Sequence, residues 1–295
     1  MATLKSRSNT VAFAGNPFMA INSTEPLIYK PLGEAVEYCV AKGLDVGVTT
    51  GAYVLPARAE ELAAAGLQRL NVSVDGPEET HNLIRGRKDS FGRSRDGIHK
   101  FREASQRLGL DNAITLNYTI TNLNAHKLVE FYDEARDWPV DQINFTFMWF
   151  IDPDSAVEHN QLYGNRYPVT ASCFGEDMDP YCVDVDDLAK QIEALKGKPR
   201  VEFAPPFKRD ELKRYFHEPT KFVSAGAKCM ATWFFLQVLA DGNVIVYTRC
   251  HNKPLGNVNS QSINSIWQGE EMTAWREFIR EQRTMPMCKR CDLAY

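Results

Sequence analysis

Four cysteines near the end of the chain have a spacing that could hold an inorganic centre. Cys288 and Cys291 form a C-x₂-C pair, and Cys229 and Cys250 flank a predicted hairpin with an Asp-Gly turn. Folding at that turn brings the two flanking cysteines to the open end of the ribbon. Four thiolates suit Zn²⁺ or one [4Fe–4S] cluster. Twenty residues separate the hairpin pair, which favours iron–sulfur because zinc ribbons normally carry two C-x₂-C pairs; four unrelated free thiols are the alternative.

The composition of the chain restricts the class of protein and the chemistry that its cysteines can perform. The chain has 295 residues and seven cysteines, and the odd number excludes a complete intramolecular disulfide framework. Apolar residues make up 44% and the net charge is −4, so the chain has ample material for a core and lacks the basic footprint of a nucleic-acid binder. No apolar run is long enough for a membrane span and no signal core is visible, so we expect a cytoplasmic protein with no membrane partner. In a reducing compartment, clustered cysteines indicate metal or redox chemistry.

The first half of the chain alternates strand-like runs with helix-like runs. This order predicts a parallel sheet with helices outside, rolled into a barrel or part of one, with chemistry at the carboxyl ends of the strands. No G-x-G-x-x-G follows a strand, so a dinucleotide site is not supported. The predicted strands are 17–23, 45–50, 70–74, 114–120 and 142–150, and the predicted helices are 32–42, 58–65, 94–108 and 124–136.

The sequence changes in character after residue 150. Residues 151–184 are loop-like and rich in Asp, Asn, Tyr, Gly and Pro, which is typical of a functional lid or a linker. Four aspartates of this stretch are candidates for substrate contact: Asp152, Asp154, Asp177 and Asp179. Alternatively, they belong to a solvated acidic loop. Further along, the periodicity predicts helices over 185–195, 210–216 and 263–282 and a short strand over 201–203.

A wider pattern surrounds the four cysteines. It consists of ADGNV at 240–244, LGNV at 255–258, SINSIWQG at 262–269 and MCKRC at 287–291. This pattern resembles the C-terminal SPASM or twitch domain of radical S-adenosylmethionine (SAM) enzymes, and the resemblance extends from about residue 17 to 295. In that family four such cysteines hold one auxiliary [4Fe–4S] cluster, which implies Cys229, Cys250, Cys288 and Cys291 as ligands. One departure is local: seven residues separate Gly242 from Cys250, more than the family usually has.

The first half resembles the same family. STEPL at 23–27 is similar to the family's G-G-E-P, where backbone and carboxylate hold the amino group of SAM; it implies Ser23, Thr24, Glu25 and Pro26 as cofactor contacts. Ser23 and Thr24 replace the two glycines, which hinders a close approach of the backbone. DVGVTTG at 45–51 resembles the next strand of the family, which implies that Thr49 and Thr50 lie near the ligand.

The run LNVSVDGPEETHNLIRG at 70–86 is the most specific. By resemblance Ser73 and Arg85 contact the ribose or carboxylate of SAM, Asp75 lies nearby, and Asn117 on the following strand is a further polar contact. A guanidinium fork suits a carboxylate. The alternatives are a surface or helix-end role for Arg85, a simple Asp-Gly turn for Asp75, and a structural role for His81.

The resemblance implies an α/β fold. We expect a partial (β/α) barrel of parallel strands of the radical SAM type, with its first βα unit missing, and a small C-terminal twitch or SPASM α+β module. The expected domains are an N-terminal remnant over 1–16, the partial barrel over 17–150, a lid or linker with the final barrel helix over 151–224, and the iron–sulfur domain over 225–295.

The family's defining C-x₃-C-x₂-C does not occur in this sequence. Three explanations compete: an N-terminal truncation, a degenerate relative that keeps only the auxiliary cluster, or a second chain that supplies the element. In the first two cases we expect that the chain as written does not form the radical. Residues 10–14 could cover the exposed edge of the first strand.

The resemblance implies a radical SAM enzyme. Such an enzyme cleaves SAM to a 5′-deoxyadenosyl radical, which removes hydrogen from a small-molecule or peptide substrate; an auxiliary [4Fe–4S] cluster assists. SAM and the second [4Fe–4S] cluster are expected only in the full-length form, with an electron donor such as flavodoxin or ferredoxin. The alternative is a non-catalytic iron–sulfur or zinc protein derived from this family. A Schiff-base lyase is disfavoured because the predicted strand ends carry no lysine.

Overall fold

The structure is a computed structural model that describes residues 18–175, 179–224, 226–248 and 250–294. The chain divides into two compact units. The first, which we call the sheet unit, comprises Met1–Thr146 and Asp186–Ala204; the second, the cysteine unit, comprises Phe147–Val185 and Pro205–Tyr295. The predicted edge strand over 10–14 and Asp177 lie outside the described residues. Within the described ranges, no helix combines the length and apolarity that crossing a bilayer requires.

A six-stranded parallel sheet organises the sheet unit, and its strands follow one another in chain order, β1-β2-β3-β4-β5-β6. Helices connect successive strands, so the predicted α/β arrangement is confirmed. The strands are β1 (Phe18–Ile21), β2 (Asp45–Thr50), β3 (Arg69–Ser73), β4 (Ala113–Ile120), β5 (Gln142–Phe147) and β6 (Val201–Ala204). The helices of the whole chain are α1 (Leu32–Ala41), α2 (Leu55–Ala64), α3 (Glu78–Arg85), α4 (Ser90–Arg107), α5 (Leu128–Ala135), α6 (Pro153–Tyr163), α7 (Val185–Leu195), α8 (Arg209–His217), α9 (Ile263–Trp267) and α10 (Glu270–Gln282).

The two faces of this sheet differ in polarity. Side chains alternate between the faces of a strand, and the register aligns the fully buried Val48 and Leu70 on one face. Helices cover such a face in parallel α/β sheets. The opposite face, which we call the open face, carries hydroxyl and amide side chains that are only partly buried: Thr49, Asn71, Ser73, Thr115, Asn117, Thr119, Asn144 and Thr146. A polar open face ending at the carboxyl edge can receive a polar ligand.

Helices α2 and α4 begin three and four residues earlier than predicted, at Leu55 and Ser90. Two further helices of this unit differ from the prediction. The helix expected from 124 begins at Leu128, because the Asn124 side chain accepts from the Thr121 backbone N–H at 2.7 Å and closes a turn there. Helix α3 was not predicted as a separate helix; its sequence is polar and only His81 is buried on it.

The cysteine unit contains the predicted hairpin in shortened form. Strand β7 (Gln237–Val238) pairs antiparallel with β8 (Asn243–Ile245), and β9 (Gly256–Asn257) adds to the other side of β8. Gly242 lies in the turn with φ +88°, which a residue with a side chain rarely adopts. The first strand is shorter than predicted because Ala231–Trp233 forms a 3-10 helix.

Two other expectations for this unit are wrong. The stretch 151–184 is not structureless, because α6 occupies its first third: the Asp152 carboxylate accepts from the Ser155 N–H at 2.9 Å and Pro153 starts the helix. The helix expected over 263–282 is broken into α9 and α10, since Gly269 has an extended backbone (φ −70°, ψ 168°) between them.

Candidate cofactor sites

Glu25 is fixed at the carboxyl edge of β1 and β2. It caps a short 3-10 helix, Pro26–Ile28, and its carboxylate accepts from the Leu27 N–H at 3.0 Å. The same carboxylate accepts from the Thr50 hydroxyl at 2.6 Å and from the Gly51 N–H at 3.0 Å. A carboxylate offers about four acceptor positions, so capacity remains for one donor of a ligand.

Arg85 and Asp75 lie beside this carboxylate. Arg85 Nε is 2.6 Å from Asp75 Oδ2, and a Cβ built on Gly51 would lie 3.4 Å from Glu25 Oε2 and 3.6 Å from Arg85 Nη1. The glycine therefore lets a carboxylate and a guanidinium approach one backbone position. Burial raises the pKa of Asp75, and the nearby Arg85 charge opposes that rise.

His81 supports the turn that carries Asp75. The Asp75 N–H donates to His81 Nδ1 at 3.1 Å, and His81 Nε2 lies 3.1 Å from the Ser90 hydroxyl. Burial, together with the Arg85 charge, lowers the pKa of His81 to about 4. The imidazole is therefore neutral near pH 7, accepts at Nδ1 and donates at Nε2, which is the structural role expected for it.

The predicted strand residues share the open face of the sheet. Ser73 and Asn117 are register partners on β3 and β4, and Thr49 pairs with Asn71 on the same face. Asn117 Oδ1 accepts from Asn144 Nδ2 at 3.3 Å. Hydroxyl and amide groups in this row can both donate and accept hydrogen bonds.

The remaining predicted contacts differ in exposure. Ser23 and Thr24 are exposed, whereas Pro26 is buried as the first residue of its 3-10 helix. Sequence reasoning expected both Thr49 and Thr50 near the ligand and left Gly51 without a role. In the structure Thr50 lies on the buried face of β2 and its hydroxyl holds the Glu25 carboxylate.

The four C-terminal cysteines line one cavity of about 30 Å³ in the cysteine unit. Cys229 precedes the 3-10 helix at Ala231–Trp233, Cys250 follows the β8 hairpin, and Cys288 and Cys291 lie in the turn after α10. The rest of the wall is mainly apolar: Ala231, Val246, Tyr247, Trp275, Ile279, Met287, Leu293 and Ala294. In the described part of the chain, no three His, Cys, Asp or Glu side chains converge closely enough to hold a single ion; the thiols are grouped around the cavity.

The donor set fits an iron–sulfur cluster. Burial raises the pKa of the Cys229 thiol, and it raises the pKa of the Cys288 thiol to about 12. The pKa of the Cys250 thiol is also raised, by burial and by the neighbouring cysteines. Without a metal these thiols are protonated near pH 7, and iron would have to displace the protons, because the thiolate is the ligand. Four cysteines in an apolar pocket are the usual ligand set of [4Fe–4S].

The other cysteines do not line this cavity. Cys39 is buried in α1, as expected from its predicted helix. Cys173 is exposed, and the exposed Cys182 thiol donates to Asp179 Oδ2 at 3.3 Å. Asp179 also caps a 3-10 helix, so it has a structural function in this loop.

Residues 10–135 match the model of the radical SAM superfamily, and residues 229–292 match that of SPASM, an iron–sulfur cluster-binding domain. The chain therefore contains a radical SAM segment and a SPASM segment. Its SPASM segment contains all four cavity cysteines. These two segments imply [4Fe–4S] clusters and SAM as cofactors.

Curated relatives match less than half of the chain in most cases. An AdoMet-dependent heme synthase of Methanosarcina barkeri is 33% identical over 129 residues, which are 43% of this chain and 35% of that protein. A GTP 3′,8-cyclase of Sulfurovum sp. is 29% identical over 142 residues, 47% of this chain and 40% of that protein. The matched part is little more than a third of the length of the first of these relatives.

Solved structures share the fold over nearly the whole chain. SuiB of Streptococcus suis bound to S-adenosylmethionine has a TM-score of 0.64 at 12% identity, covering 99% of this chain and 64% of that one. The anSMEcpe structure with bound AdoMet and Kp18Cys peptide has a TM-score of 0.60 at 18% identity, covering 99% and 79%. At such identities the likeness establishes the radical SAM fold.

Proposed function

We propose that this chain carries the SAM-binding and auxiliary-cluster parts of a radical SAM enzyme. The observation that supports it best is the common cavity of Cys229, Cys250, Cys288 and Cys291 within the SPASM segment. These four thiolates would hold the auxiliary [4Fe–4S] cluster. The apolar wall around them would exclude water.

The sheet unit would bind SAM at its carboxyl edge. The free acceptor position of Glu25 suits the cationic amino group of SAM, and the partly exposed Arg85 suits its carboxylate. Ser73, Asn117 and Thr49 would contact the ribose and adenine from the open face. Asp75 would orient Arg85 through their ion pair.

In a full-length form, SAM and a second [4Fe–4S] cluster would supply the radical chemistry that removes hydrogen from the substrate. We propose a small-molecule or peptide substrate, because similar proteins include a heme synthase and a GTP cyclase and one neighbouring structure, SuiB, is bound to its precursor peptide SuiA. A cytoplasmic electron donor such as flavodoxin or ferredoxin would reduce the protein.

A second candidate function is a non-catalytic iron–sulfur protein that retains SAM binding. The absence of C-x₃-C-x₂-C from this sequence favours it. Two measurements separate the two functions: anaerobic reconstitution followed by chromatography for 5′-deoxyadenosine, and sequencing of the DNA upstream of the first codon. SAM cleavage by this chain, or an in-frame C-x₃-C-x₂-C upstream, supports the enzyme; one cluster per chain without cleavage and without such a motif upstream supports the second function.

Cysteine variants test the cluster ligands. We expect Cys250→Ser to lose most of the iron and sulfide that the reconstituted wild-type chain takes up, and Cys173→Ser to keep it, because Cys173 does not line the cavity. Iron and acid-labile sulfide analysis measures both. Equal iron in the two variants would contradict the ligand assignment.

Glu25→Gln tests the SAM site. Since a hydrogen bond to a charged group contributes about 1.5–3 kcal/mol, we expect roughly tenfold to hundredfold weaker SAM binding in equilibrium dialysis. Glu103→Gln is the control, because Glu103 is exposed on α4. Unchanged affinity in Glu25→Gln would place the amino group elsewhere.

A further inference from the structure

Arg290, between the two cysteines of the C-x₂-C turn, is a buried guanidinium that donates only to backbone oxygens. It is 1% exposed. All five of its N–H donors are used. The acceptors are the carbonyl oxygens of Tyr215 (2.6 Å, from Nε), Lys221 and Lys289 (both 2.8 Å, from Nη1), and Arg214 (2.9 Å) and Glu218 (2.8 Å, both from Nη2).

Three of these acceptors belong to the carboxyl end of α8. Arg214 and Tyr215 lie in its last turns and Glu218 is its C-cap. Carbonyl groups at a helix end lack partners within the helix, and their negative dipole favours a cation. Arg290 therefore attaches the cysteine turn to the end of α8.

No carboxylate of the described residues forms an ion pair with Arg290, although the Glu218 carboxylate is near enough for the Arg290 charge to help lower its pKa. The adjacent Lys289 pairs with Glu158 at 2.6 Å, and the Glu218 carboxylate pairs with Lys221 at 2.6 Å. A buried charge is costly unless an opposite charge compensates it, and a helix end carries only about half an elementary charge. Cys291 lines a small pocket together with Arg290, and as a cluster-bound thiolate it would add negative charge at this place.

We infer that Arg290 is a positioning residue whose fixed charge compensates the thiolate-ligated cluster held by Cys288 and Cys291. The inference rests on the auxiliary cluster proposed above. A four-thiolate [4Fe–4S] centre is an anion and becomes more negative when it gains an electron. The reduction potential of such clusters depends on nearby charge and hydrogen bonding, so Arg290 stabilises the reduced form and raises the potential.

The test is a potentiometric titration of the anaerobically reconstituted full chain, with dithionite as reductant and electron paramagnetic resonance as the readout. We expect Arg290→Met to shift the midpoint potential to more negative values or to lose the cluster. Arg290→Lys keeps the charge, so it is expected to retain the cluster near the wild-type potential, with a lower melting temperature because ammonium has fewer donors. Arg276→Gln is the control, since Arg276 also donates to backbone oxygens, those of Thr232 and Trp267, but is half-buried, where solvent screens its charge.

The outcomes separate this inference from the cluster assignment. If the wild-type chain takes up no iron and sulfide, the auxiliary cluster itself fails. If it does take them up, an unchanged reduction potential in Arg290→Met overturns the inference. Equal loss of the cluster from the Met and Lys variants also overturns it, because the cluster would then depend on the hydrogen bonds of Arg290 and not on its charge. Two results support the inference: loss of the cluster from Arg290→Met alone, or a negative shift of the midpoint potential in Arg290→Met that Arg276→Gln does not show.

Discussion

At the scale of single residues, Asp75 shows two opposing effects on one carboxyl group. Its burial raises the pKa, and the Arg85 guanidinium at 2.6 Å acts against the rise. Asp75 is also held by its backbone, which donates to His81 and accepts from Asn124 Nδ2 at 2.9 Å. The ion pair is thus built into a rigid turn, as expected of groups that must receive a ligand in a defined geometry.

We predict that Arg85→Gln destabilises the sheet unit in a pH-dependent manner. Because the folded-state pKa of Asp75 is raised, its neutral form is favoured on folding, and stability falls as the pH rises through that pKa. Without the guanidinium that cost grows, so the loss should be about 2–4 kcal/mol at pH 8 and smaller at pH 5.

Urea unfolding followed by tryptophan fluorescence at both pH values measures this difference. Arg69→Gln is the control, since its ion pair with Asp45 is largely exposed and should contribute less than about 1 kcal/mol. An equal loss for Arg85→Gln at the two pH values would show that the Asp75 charge is not involved.

At the scale of elements, β4 separates stability from binding at neighbouring positions. Leu116 is fully buried, whereas Asn117 lies on the open face. We predict that Leu116→Ala costs about 2–5 kcal/mol of unfolding free energy and leaves SAM affinity unchanged in the folded fraction. Asn117→Leu should keep most of the stability and weaken SAM binding. Melting curves and equilibrium dialysis on both variants check this; a loss of affinity in Leu116→Ala alone would reverse the assignment of the faces.

The contact between α2 and α4 depends on a glycine. A Cβ built on Gly97 would lie 2.7 Å from Leu55 Cβ and Cγ, whereas nothing lies within 4 Å of a Cβ on Gly92 of the same helix. We predict that Gly97→Ala destabilises, because overpacking costs about 1–3 kcal/mol and exceeds the gain of up to about 1 kcal/mol in helix propensity. Gly92→Ala should stabilise by that propensity gain. Thermal unfolding of the two variants gives the comparison, and similar shifts in both would mean that Leu55 moves aside freely.

At the scale of the molecule, we expect the proposed cluster to stabilise the cysteine unit. Its sheet is small, with strands of two or three residues, so a bound cluster would add to the cohesion of the apolar core around Met272 and Trp275. A ligand at a thousand times its dissociation constant stabilises the folded state by about 4 kcal/mol. We predict that chelation of iron from the loaded chain accelerates amide hydrogen exchange over 229–291.

Mass spectrometry of the exchanged peptides measures this effect. Cys250→Ser, which should lack the cluster, is the matched control: its exchange is expected to be fast already and insensitive to the chelator. Exchange that stays slow in the wild-type chain after iron removal would show that the apolar core alone holds the module.

The sequence by itself determined several of the elements and the residue types that the proposed sites offer. Strand 45–50 and helix 185–195 were predicted with the bounds that the structure has, because alternating and helical apolar periodicities are local properties of the chain. The Asp-Gly turn and the C-x₂-C spacing likewise predicted the grouping of the four cysteines. Local patterns failed where a single residue sets the beginning of a helix, as the N-cap Asp152 and the extended Gly269 do.

Only the tertiary structure decided which distant groups meet. Glu25 reaches Thr50 and Gly51 across 25 and 26 residues of chain, and Arg290 reaches carbonyl oxygens on α8, such as that of Tyr215, 75 residues earlier. Neither contact leaves a periodic signal, because a backbone N–H or C=O is the same at every position of the sequence. Packing brings such groups together, and burial then makes their hydrogen bonds and charges matter.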